Sequence, residues 1–147
     1  MSKYSKLAFA AAIAISFASF GSAAQAGSGT LVNVSLIDTD AGMEVRTDRN
    51  RAVEGPVSFA GINDSANDTQ HEMLILKVKG DDVSYLPYDE NTMRIPEDKI
   101  ASLGEIPEID AGQGGAITLD LKAGTYLLFC NKPGHYEAGM KTLFYVQ

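Results

Sequence analysis

Residues 125–146 read TYLLFCNKPGHYEAGMKTLFYV, two apolar runs on either side of a polar loop. In the first run, side chains two residues apart share one face of a strand, so Tyr126, Leu128 and Cys130 point the same way, toward the core. The loop contains proline and glycines, which favour tight turns. We therefore predict two strands joined by a hairpin-like loop. Cys130 ends the first strand, and His135 and Met140 follow with four residues in each gap.

The rest of the chain consists mainly of short alternating or apolar runs separated by turn residues, which predicts an all-β domain. Two sheets packed face to face are the usual arrangement for about seven such strands. Prolines interrupt the pattern between residues 81 and 109, where we expect an irregular insertion with a short helix opened by Pro96. The predicted strands are Thr30–Ile37, Met43–Thr47, Val57–Ile62, residues 71–78, Ala116–Leu121, Thr125–Cys130 and Lys141–Val146.

The first 26 residues have the pattern of a secretory signal peptide. Two lysines precede a mostly apolar run from Leu7 to Phe20, and small residues follow, ending in Ala24-Gln25-Ala26. This order of basic, apolar and small residues is typical of a cleaved leader, and the apolar run is short for a membrane span. We predict cleavage after Ala26, a single domain over residues 27–147 and export to the periplasm.

The charge of the chain restricts its partners. The full sequence carries a formal charge of −7, and removal of Lys3 and Lys6 with the leader makes it −9. A surface this acidic disfavours nucleic acid and anionic membranes and favours basic proteins or cations. We expect no nucleic-acid partner and no stable membrane insertion.

The cysteine and histidine content points to a metal. Cys130 is the single cysteine, so it has no internal disulfide partner, and an exported free thiol should be occupied, reactive or deeply buried. Two histidines and a cysteine with a weak axial methionine make up the blue-copper site. The other histidine, His71, opens a strand after a polar loop. It completes this set if that strand lies beside Cys130.

Each of these residues also has a purely structural interpretation. Cys130 can serve as a small buried apolar side chain, His71 as a turn residue, His135 as a solvated loop residue, and Met140 as core. Their occurrence together, with the single thiol and both histidines used, favours the metal interpretation.

The arrangement resembles the cupredoxins, the small blue copper proteins. A distant histidine is followed by C-x4-H-x4-M near the C-terminus, and the stretches LKAGTYLLFCNKPGHYEAGM and HEMLILKV are similar to the sulfocyanin-like version. The resemblance implies a two-sheet Greek-key β-sandwich with one type 1 copper ion bound by His71, Cys130, His135 and Met140. In many cupredoxins an asparagine or serine after the first histidine ties the ligand loops together, and here Glu72 occupies that place.

A metal with four protein ligands has no open position for a substrate, which disfavours an enzyme and favours one-electron transfer. The predicted function is a soluble, monomeric electron carrier that exchanges electrons through His135 with redox proteins that have basic docking surfaces. The alternative is a copper-binding protein for storage, delivery or tolerance.

Overall fold

The computed structural model describes residues 29–147, so the predicted signal peptide lies outside the described part. Nine strands and one 3-10 turn make up this part. The strands are β1 (Thr30–Thr39), β2 (Gly42–Thr47), β3 (Arg51–Ala52), β4 (Gly55–Ser65), β5 (His71–Val78), β6 (Ser102–Ile109), β7 (Gly114–Leu121), β8 (Gly124–Phe129) and β9 (Lys141–Val146).

The strands form two sheets packed as a sandwich, which confirms the predicted fold class. One sheet has four strands in the order β2-β1-β4-β7, and the other has five in the order β3-β9-β8-β5-β6. Most neighbours are antiparallel, whereas β1 runs parallel to β4 and β3 runs parallel to β9. The seven predicted strands are all present, with longer β1 and β4 than expected.

The main core lies between the sheets and is built by period-two alternation. Val32, Val34 and Leu36 of β1 are buried while their neighbours are not, and Tyr126 and Leu128 of β8 face them together with Cys130. The rings of Phe59 and Phe144 meet edge to face across the sandwich, 5.3 Å between centroids. The prediction that Cys130 points into the core with these apolar neighbours is confirmed.

The irregular insertion is shorter than predicted. Residues 102–109 form β6, an edge strand of the five-stranded sheet, in spite of Pro107. A proline is tolerated at such an edge because one side of the strand has no partner to bond. The expected helix after Pro96 is only the 3-10 turn Glu97–Lys99. We therefore use the term insertion for residues 79–101.

The insertion covers the outer face of the five-stranded sheet with a second apolar cluster. Ile95, which has no exposed surface, packs there against Leu74, Leu127 and Phe129. Strands β5 and β8 are consequently buried on both faces, which explains why nearly every residue of β5 is buried. Among the described residues, no helix is long and apolar enough to cross a membrane.

Candidate metal centre

Sheet topology brings His71 to Cys130. Strands β5 and β8 are antiparallel neighbours, with Leu74 opposite Phe129, so β5 begins at His71 where β8 ends. Cys130 follows β8 directly, and its backbone N–H donates to the carbonyl of Met140, 3.0 Å away. All four predicted ligands therefore lie at one end of the sandwich.

The loop of residues 130–140, called here the ligand loop, owes its shape to two glycines. Gly134 has φ of +82° and Gly139 has φ of +100°, a region of backbone space that favours glycine. The first glycine turns the chain at the start of His135, and the second returns it to Met140 and β9. The loop is held closed by the N–H of Met140, which donates to the carbonyl of His135 at 3.0 Å.

Three donor atoms converge inside this end of the sandwich. The two Nδ1 atoms of His71 and His135 lie 3.2 Å apart. The Sγ atom of Cys130 lies 3.4 Å from Nδ1 of His135 and 3.9 Å from Nδ1 of His71. Within the described residues, this is the one group of three or more His, Cys, Asp or Glu side chains with donor atoms close enough to share a metal ion.

The donors are shielded from water. His71 and Cys130 have no exposed surface, and His135 is 9% exposed. The other ring nitrogen of His71, Nε2, is buried without a hydrogen-bond partner. The two Nδ1 atoms and Sγ lie within hydrogen-bonding distance of one another, so in the metal-free protein they share the available protons. A single cation between them would accept a lone pair from each, and thiolate with two imidazoles is a donor set for copper or zinc.

The ionisation of the donors in the metal-free protein follows from burial. Burial, together with the nearby His135, lowers the pKa of His71 from 6.5 to about 4. Burial raises the pKa of the Cys130 thiol from 9.0 to about 11, although the backbone N–H groups of Glu72 and Lys132 act in the opposite direction. Both imidazoles are therefore neutral ligands at neutral pH, and a bound cation would have to displace the thiol proton.

Met140 is buried next to these donors. It has no exposed surface and belongs to the same apolar cluster as Cys130. The backbone hydrogen bond between the two residues sets them opposite each other across the mouth of the loop. The Met140 backbone therefore lies beside that of Cys130, immediately before β9.

Sequence reasoning missed the polar residues that hold the loop before His71. Asn63 is 1% exposed, and its amide donates to the carbonyls of Thr69 and Ile109 at 2.8 Å each. Asp38, 4% exposed, accepts from the side chain of Asn67 at 3.1 Å. These contacts join β1, β4 and β6 to one loop. In the sequence both residues look like ordinary turn residues near strand ends.

Glu72 does not take the tying role of an asparagine or serine. Strand alternation puts its side chain on the face of β5 opposite to His71, toward the insertion, where it is 5% exposed. Its Oε1 atom is buried without a hydrogen-bond partner. Burial, with a further contribution from Glu108, raises the pKa of this carboxyl.

Comparison with solved structures identifies similar folds. Reduced auracyanin from the photosynthetic bacterium Roseiflexus castenholzii matches at 21% identity and a TM-score of 0.56, over 82% of this chain and 98% of that one. Auracyanin A, a blue copper protein from Chloroflexus aurantiacus, matches at 22% and 0.57, over 80% and 99%. Reduced rusticyanin matches at 26% and 0.50, over 82% and 81%. No protein-family model and no curated protein sequence matches the chain.

These neighbours are cupredoxins, and this chain has the cupredoxin fold. Its buried cluster of His71, Cys130 and His135 fits a type 1 copper site, and Met140 makes the set the typical one.

Proposed function

We propose that this protein binds one copper ion through His71, Cys130, His135 and Met140 and carries single electrons between other redox proteins outside the cytoplasm. The observation that supports this most directly is the convergence of Nδ1, Sγ and Nδ1 within 3.9 Å of one another in a buried cluster. The export rests on the pattern of residues 1–26 in the sequence.

Bound copper would supply a one-electron couple, and the surrounding protein would set its geometry. The donors are held at one end of the five-stranded sheet and by a loop with two glycine turns, so they cannot rearrange freely between oxidation states. A donor set filled by protein side chains leaves no position for a substrate, which supports a carrier over an enzyme.

Exposure favours His135 as the route for electrons, since it is the one proposed ligand with any exposed surface. His135 is 9% exposed, whereas His71, Cys130 and Met140 have none. Exposed Pro133, Glu137 and Ala138 surround it in the ligand loop. A partner that docks over this loop would approach the site through a single imidazole.

The direct test is titration of metal-free protein with Cu²⁺, followed by absorption spectroscopy and voltammetry. We expect one equivalent to give an intense visible band from the thiolate and a reversible one-electron wave. A protein that binds no copper in this way, or that gives up its copper to a metal-free acceptor faster than it exchanges electrons, would favour copper delivery or storage instead.

The proposed axial role of Met140 predicts the effect of Met140→Leu. We expect the variant to retain copper and to show a higher reduction potential, because removal of a weak donor disfavours the oxidised ion more than the reduced one. A tenfold difference in affinity between the two states corresponds to about 59 mV, and we expect a rise of roughly that size by voltammetry.

Met73→Leu is the matched control, because it makes the same exchange at another fully buried methionine. Its potential should stay close to that of the unmodified protein. An unchanged or lowered potential in Met140→Leu would exclude Met140 as the axial ligand and point to another group, such as Glu137 or a backbone carbonyl.

Docking at the ligand loop predicts an effect of Ala138→Lys on electron exchange. The side chain of Ala138 is exposed and is not a proposed ligand, so the copper spectrum should be unchanged. Exchange with a basic cytochrome should slow several-fold, and rates should fall as salt rises, because exposed charges are screened beyond about 10 Å at roughly 0.1 M salt.

The control is Ala123→Lys. It adds the same charge at an exposed alanine beside the start of β8, the end of that strand opposite to Cys130. Stopped-flow measurements over a salt series should show a smaller effect for this variant. Equal effects of the two lysines would contradict docking at the ligand loop.

A further inference from the structure

The insertion and the ligand loop are joined by four hydrogen bonds. The amide of Asn131 accepts from the N–H of Ile95 and donates to the carbonyl of Ile95, at 2.9 Å each. The same Nδ2 atom lies 3.2 Å from Oε1 of Glu97. The fourth bond runs from the N–H of Gly134 to the carbonyl of Met93, at 2.8 Å.

The pair of bonds between Asn131 and Ile95 imitates the pairing of two strands. A side-chain amide supplies one donor and one acceptor in the geometry of a peptide group, and Ile95 receives both. Asn131 is 1% exposed and Ile95 has no exposed surface, so water does not compete for these bonds. Hydrogen bonds in such an environment are strong, and leaving their partners unpaired is costly.

The backbone position of Asn131 affects where the Sγ atom of Cys130 lies. It follows Cys130 directly and precedes Lys132, whose backbone N–H acts on the Cys130 sulfur. A displacement of the Asn131 backbone therefore moves the thiol and one of the N–H groups that face it. The bond at Gly134 fixes the next turn, immediately before His135.

The insertion is a firm anchor for this contact. Ile95 packs with Leu74 of β5 and with Phe129 of β8, the strands that carry His71 and lead to Cys130. Asn131 thus connects the ligand loop to a layer that is itself fixed to the ligand-bearing strands. The side chain of Glu72, the residue next to His71, makes no equivalent tie, since its Oε1 atom has no hydrogen-bond partner.

We infer that Asn131 is a positioning residue for the copper site and that the insertion acts through it to hold Cys130 and His135 in place. This inference rests on the proposed copper site. It assigns a purpose to residues 79–101, which the proposed ligand set leaves unexplained.

The test uses Asn131→Leu, which keeps a similar volume but removes all three side-chain bonds. In the metal-free protein, we expect amide hydrogen exchange at Ile95 and Gly134 to accelerate about tenfold relative to the amide of Phe144, a core residue used as the reference. This is the factor expected from losing a buried hydrogen bond. Leu127→Ala is the control. It weakens the same apolar cluster and leaves the amide contacts in place, so exchange at these three amides should change together.

The copper-loaded proteins provide the second measurement. Asn131→Leu should shift the copper hyperfine coupling in electron paramagnetic resonance and slow electron exchange with a small inorganic complex about tenfold, while Leu127→Ala should leave both unchanged. Asn131→Ala also removes all three bonds, without placing a leucine side chain against the Glu97 carboxylate, so its effects should follow those of leucine. If the leucine variant does not fold, the alanine variant decides by the same measurements.

Two results would overturn the inference and are distinguishable. If the unmodified protein shows the thiolate band and Asn131→Leu behaves like Leu127→Ala in exchange and in the copper signal, Asn131 has no positioning role and the proposed function stands. If the unmodified protein gives no thiolate band with copper, the proposed function fails and this inference fails with it.

Discussion

In the Cys130→Ser variant loaded with copper, we expect the intense visible band to disappear completely while the all-β fold remains. The band arises from transfer of charge from a thiolate to the metal, and a serine hydroxyl is a similar-sized but much harder ligand. Cys130 has no exposed surface and is the single cysteine, so no other thiol can replace it. Absorption spectroscopy and circular dichroism of the variant measure the two parts of the prediction.

Glu137→Gln is a suitable control for this experiment. It changes an exposed residue of the same loop that lies two positions from His135, and we expect it to keep the full band. A serine variant with an equally intense band would show that the band does not come from Cys130. Loss of the band in both variants would point to a general disturbance of the loop.

The predictable part of the fold was the part with a regular pattern. Strands β5 and β9 are found within the predicted residues, because apolar runs bounded by turn residues leave little freedom in their placement. Residues 102–109 were misassigned because Pro107 and the mostly exposed side chains of an edge strand give a weak alternating signal. The identity of its partner, β5, depends on contacts that the local sequence does not specify.

The donors of the candidate site were predictable for a different reason. Cysteine and histidine are so scarce in this chain that their positions could be compared directly with the donor sets of known metals. The convergence of His71 with the loop, by contrast, depends on β5 being the antiparallel neighbour of β8. The supporting residues Asp38, Asn63 and Asn131 could not be predicted, because nothing in their own sequence surroundings separates a buried amide from a solvated turn residue.

The buried histidines predict how acid affects the metal-free protein. Burial is the main cause that lowers the pKa of both His71 and His135 in the folded state. As the pH falls below about 6.5, the imidazoles of the unfolded chain bind protons, whereas those of the folded chain stay neutral because their pKa is lower. The unfolded state is therefore favoured. The contribution of His71 to stability is complete above pH 6.5 and is lost progressively down to about pH 4. After allowing for partial screening by solvent, we expect a loss of about 2 kcal/mol.

Denaturant titrations of metal-free protein between pH 7 and 4.5 measure this loss. In His71→Asn, the free energy of unfolding should depend less steeply on pH. Asp38 titrates below this range because hydrogen bonding, chiefly to Thr69, lowers the pKa of its carboxyl, whereas Glu72 opposes the trend because burial raises its pKa. Because both proteins contain these two acids, comparing them cancels the acids' effects.

One equivalent of copper should increase the free energy of unfolding at neutral pH, because it binds the folded state. It should also steepen the fall of that free energy with acid, because protons compete for the same nitrogens. Equal slopes for His71→Asn and the unmodified metal-free protein would show that His71 is not the buried, neutral imidazole on which the candidate site depends.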